Sequence, residues 1–63
     1  MHVRLEDSFI RKLRVYDIHG IQVMEQESFS KELIIPISEL TEGLYFLSLD
    51  TDKGQISSRF VKI

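Results

Sequence analysis

Few side chains in this sequence are placed to do chemistry. Histidine is the usual acid–base catalyst and metal ligand near neutral pH, and there are two, His2 and His19. His2 lies at the terminus and His19 inside a turn-forming stretch, Asp17–Gly20. Neither has H-x-H or H-E-x-x-H spacing, so both read as solvated surface histidines. The ten acidic residues fall mostly in turn-like segments, where a carboxylate accepts backbone hydrogen bonds. Asp50-Thr51-Asp52-Lys53-Gly54 looks like part of a calcium loop but lacks the other ligands and the closing Glu. A two-carboxylate glycosidase site would also need a cleft that 63 residues cannot readily enclose.

Other chemistries are excluded in the same way. The three glycines, Gly20, Gly43 and Gly54, are far apart, and each closes a turn pattern instead of a phosphate loop. Ser28, Ser30, Ser38, Ser48, Ser57 and Ser58 have no G-x-S-x-G context. There is no Cys, hence no disulfide and no thiolate metal site. Phe9, Tyr16, Phe29, Tyr45, Phe46 and Phe60 could stack on bases, but without interleaved basic residues they read as core. The net charge of −2, mixed along the chain, argues against a nucleic-acid partner. The residues point to no enzyme, no cofactor, no metal and no small-molecule substrate.

The elements that must position these residues follow a period of two. Leu13 and Val15 alternate with Lys12, Arg14 and Tyr16. Leu33, Ile35 and Ile37 oppose Ile34 and Pro36. Tyr45, Leu47 and Leu49 oppose Leu44, Phe46 and Ser48. Strands are expected over 2–6, 9–17, 21–26, 32–37, 44–50 and 55–62. Pro36 suits a sheet edge or the end of a strand. Asp17–Gly20 fits a three- to four-residue hairpin loop with a bulge and a positive φ at Gly20, and Asp50–Gly54 follows the same logic. Residues 25–32 and 38–43 read as longer polar connections. With no helical segment, the chain is all-β, a small antiparallel sandwich or open barrel. Ile21, Met24, Ile34, Leu44 and Phe46 are too many for one thin core, so some are expected on the surface, singly or as a patch. No apolar run approaches the roughly 20 residues of a spanning helix. The first residues lack the apolar stretch of a signal peptide, so if this domain leaves the cell, something upstream must carry it.

Three ordered blocks carry a resemblance. "LRVYDIHGIQV" holds Val15, Tyr16, Asp17, Gly20 and Val23. "LIIPISELTEGLYFLSL" holds Ile35, Ile37, Ser38, Leu40, Gly43, Leu44 and Tyr45. "DKGQISSRFVKI" holds Gly54, Arg59, Phe60, Val61 and Lys62. Together they resemble the C-terminal sorting domain of the type IX (Por) secretion system, type A family, from about Leu13 to Ile63. The Y-P-N-P segment that opens family members is missing, and Ile21 stands where Arg or Lys is usual.

The resemblance implies one domain over residues 1–63, a small Ig-like antiparallel β-sandwich of about six short strands lacking the family's first strand. It implies a non-catalytic C-terminal signal at the end of a larger secreted protein. The cargo, fused upstream, would pass through the periplasm and be carried across the outer membrane by the secretion machinery. A surface sortase would then remove the domain, leaving cargo at the cell surface or released. The residues expected to be read are Arg59, Phe60, Val61, Lys62 and Ile63, with Gly43, Leu44 and Tyr45. Asp17, Gly20, Leu40 and Gly54 are expected to shape turns, with Leu40 stapling its turn to the core. The Tyr45 hydroxyl is expected to need a partner. A missing edge strand exposes backbone groups that template another chain, so a homo-oligomer through edge strands is expected. The alternative reading is a generic β-sandwich interaction or adhesion module.

Overall fold

A computed structural model describes the whole chain, Met1–Ile63. It holds six strands: β1 (His2–Arg4), β2 (Ile10–Tyr16), β3 (Gln22–Ser30), β4 (Glu32–Ile34), β5 (Gly43–Thr51) and β6 (Gly54–Lys62). All pairings are antiparallel, β3–β2–β5–β6 in one sheet and β1–β4 in the other. The chain is all-β, and the two sheets form a small sandwich.

Alternation chose the core. Ile10, Leu13 and Val15 of β2 are fully buried, and Tyr45, Leu47 and Leu49 of β5 lie beside them. From the opposite layer Ile35 is also fully buried. Met1, Val3, Leu5, Leu33, Ile37 and Leu40 close over it, half-buried. Each such aliphatic side chain contributes about 1.5–3 kcal/mol when fully removed from water. On the outer face of the larger sheet Lys12 meets Glu25 at 3.0 Å, and Arg14 meets Asp50 at 3.2 Å.

Three local expectations are corrected. The polar segment from Glu25 is not a connection, because β3 continues through it to Ser30, paired with Ile10. Its Glu25 and Glu27 face the Lys12 ammonium, so hydrogen bonding and charge pairing hold a strand that has no apolar period. In contrast, β4 stops at Ile34, before Pro36, which has no N–H to give to a ladder. The Asp50–Gly54 turn is tighter than expected, a two-residue loop of Asp52 and Lys53 closed by the Thr51–Gly54 pair. Thr51 shapes it: its hydroxyl donates to the Gly54 carbonyl at 2.6 Å and accepts from the Lys53 N–H at 3.1 Å. The Asp52 carboxylate is thereby free to leave the hairpin and accept the Phe9 N–H at 2.8 Å, pinning the start of β2.

The first hairpin forms as its residues dictate. The Asp17 N–H donates to the Ile21 carbonyl at 2.9 Å, closing a loop of Ile18, His19 and Gly20. The Asp17 carboxylate accepts from the N–H groups of His19 and Ile21 at 2.8 and 3.0 Å. Gly20 supplies φ +79°, a conformation costly for any residue with a Cβ. The register shift between Val15 and Tyr16 is the accompanying bulge.

Candidate functional site

The site is built from the turn before β5. Leu40 donates its N–H to the Ile37 carbonyl at 3.0 Å and packs, partly buried, against the core. The Tyr45 ring enters the core, and its hydroxyl donates to the Thr41 carbonyl at 2.7 Å, with the Thr41 hydroxyl 3.2 Å away. A buried phenol that reaches back to upstream backbone fixes both the turn and the strand register. Gly43 lies between them at φ +151°, with no atom crowding its Cβ position. Its requirement is therefore backbone conformation and not space.

The register of β5 against β6 then joins two segments distant in sequence. Gly43 pairs with Lys62, Leu44 with Val61, Tyr45 with Phe60, and Phe46 with Arg59. The Tyr45 and Phe60 rings stack at 5.5 Å between centroids. Leu44, Phe46, Arg59 and Val61 alternate to the outer face, where Val61 is 64% exposed and Phe46 42%. Ile63 extends beyond the strand, almost fully exposed. Arg59 and Lys62 make no ion pair, so their charges are displayed to solvent.

The Asp17–Gly20 hairpin forms the facing wall. Asp17, Ile18 and His19 line an open cleft of about 240 Å³ together with Thr41, Glu42, Gly43, Leu44 and Tyr45. Thus Asp17, Gly20, Leu40, Gly43–Tyr45 and Arg59–Ile63 gather at one pole. Gly54 does not join them: its pair with Thr51 lies at the far end of the β5–β6 ladder. The residues missed in the sequence are Thr41, which holds the Tyr45 hydroxyl, and Ile18, which adds to the exposed apolar surface that Phe46 presents at this end. A Thr four residues before a strand Tyr was the only available signal.

The pole offers shape, apolar surface and charge, and no reactive constellation. No group of His, Cys, Asp and Glu is placed to hold a metal. Glu25, whose carboxyl is held below its ordinary range by the Lys12 hydrogen bond and then by Gln22, belongs to the ion-pair grid on the sheet. The family model described as secretion system C-terminal sorting domain matches residues 1–63. The chain belongs to this family. No curated protein and no solved structure gives a match. A type IX sorting domain is a signal read by the secretion machinery and not a catalyst, and cargo bearing one is exported to the cell surface or secreted. The expected family thus rests on one finding, the match over residues 1–63.

Proposed function

We propose that the pole joining Gly43–Tyr45 to Arg59–Ile63 is the face of this sorting domain that the type IX machinery reads. The observation that supports this most is the β5–β6 register, which makes one surface of two motif blocks. Rigid apolar display flanked by unpaired cations suits recognition by a protein partner. In this reading residues 1–63 are the C-terminal domain of a larger secreted protein. An upstream signal peptide takes the cargo to the periplasm, and a sortase removes the domain after outer-membrane passage. A second reading, an interaction or adhesion module associating through an exposed edge, draws support from the open edge of β6.

A secretion assay separates the two. Residues 1–63 are fused behind a fluorescent protein bearing a signal peptide, in a type IX-competent strain and in a translocon mutant. The expected result is translocon-dependent fluorescence outside the cell, lost in a Val61→Glu/Lys62→Glu variant that keeps its circular dichroism. Wild-type export by that variant would place recognition elsewhere. Periplasmic retention even with native upstream residues restored would leave the interaction-module reading.

A further inference from the structure

The larger sheet has two free edges, β3 and β6, and β3 is the more strongly guarded. β3 carries Glu25 and Glu27, and its ladder with β2 shifts register near both ends. Charges and bulges of this kind deter edge-to-edge pairing. β6 is less protected. Its ladder with β5 runs through nine pairs without a shift, and Gly54–Lys62 contains no Pro and no acidic residue. Every residue from Gly54 to Arg59 is exposed. Ile56 lies on the same side as the core-facing Phe60 yet remains 41% exposed, so the small second sheet leaves this side of β6 uncovered.

We propose that β6 pairs antiparallel with β6 of a second copy about a twofold axis through Ser58, joining the two four-stranded sheets into one. This inference rests on the fold and not on the sorting reading. Ser58 is the midpoint of Gly54–Lys62, so this axis pairs the whole strand. It sets Ile56 of each copy opposite Phe60 of the other, on the uncovered face. On the outer face it sets Ser57 opposite Arg59 and Gln55 opposite Val61, with no like charges facing. Moving the axis to Arg59 would place two guanidiniums directly opposite, which is unfavourable. Moving it toward Gln55 shortens the ladder. A twofold contact also closes on itself, whereas a β6–β3 contact would propagate as an open chain.

The test uses the 63-residue chain in sedimentation equilibrium over a concentration series reaching the millimolar range. A monomer–dimer equilibrium is expected, and Ser58→Lys, which places two ammonium groups across the axis, is expected to weaken it roughly tenfold. Ser58 is exposed in the single copy, and an unchanged circular dichroism spectrum would show that the variant folds. The chain has no native Cys, so Ser58→Cys should form a disulfide-linked dimer under mild oxidation faster than Glu27→Cys on the β3 edge. Monomer at every concentration would overturn the proposal. So would an unchanged dissociation constant for Ser58→Lys, or faster cross-linking at position 27.

Discussion

Tyr45 does three things at once: it fills core space, stacks on Phe60 and ties the turn through Thr41. Tyr45→Phe keeps the first two and deletes the hydrogen bond. A stability loss of about 1 kcal/mol is expected in urea denaturation, with faster amide exchange around Thr41. Gly43→Ala should cost about 1 kcal/mol for a different reason, since its φ of +151° is strained for an L side chain although the space is open. Glu25 reports on the surface grid. Its folded pKa lies below the ordinary value of 4.5, so it contributes stability above that value, which is lost as pH falls through the lowered one. Lys12→Ala should return the Glu25 titration, followed by carboxyl chemical shift, toward 4.5, and salt should have a similar effect.

Among the elements, the strands with an apolar face were legible and the exceptions have physical causes. β2 and β5 were readable because one face is dry, so their alternation is nearly complete. The far half of β3 was not, because a strand held by Lys12 and by its ladder with β2 carries polar residues on both faces. The partner of Asp52 was not legible for a similar reason: its local sequence reads as a turn carboxylate, and the N–H it accepts, that of Phe9, is remote in the chain. Asp52→Ala should leave the β5–β6 hairpin formed through Thr51 while loosening the start of β2. A loss of about 1 kcal/mol is expected, with the Phe9 amide losing exchange protection.

For the whole molecule, the limit is size. Domains below about 70–80 residues seldom muster more than about 3–5 kcal/mol from a single core. Here one side chain, Ile35, brings a fully buried anchor from the segment that crosses over the larger sheet. Ile35→Ala is expected to cost about 2–5 kcal/mol and to leave much of the population unfolded at room temperature, as read by thermal denaturation. In the secretion assay the same variant should reduce export although Arg59–Ile63 is untouched, because the proposed face exists only when β6 is paired with β5. Export at the wild-type level from an unfolded variant would mean that the C-terminal residues are read as a linear peptide.

The sequence by itself determined the all-β class, the inward sets on β2 and β5, the hairpin at Asp17–Gly20 and the three ordered blocks of the sorting family. These are local properties: a period of two, an Asp that caps its own turn, a glycine where φ must be positive. Tertiary structure alone decided that the Gly43–Tyr45 and Arg59–Ile63 segments share one pole, that Gly54 lies at the other end and that Thr41 receives the Tyr45 hydroxyl. It also decided which strands are left at the sheet edges, and that the β6 edge runs without a bulge. Strand order and register cause these facts, and both are set by how two faces bury each other, a sum over remote pairs that no short stretch of residues encodes.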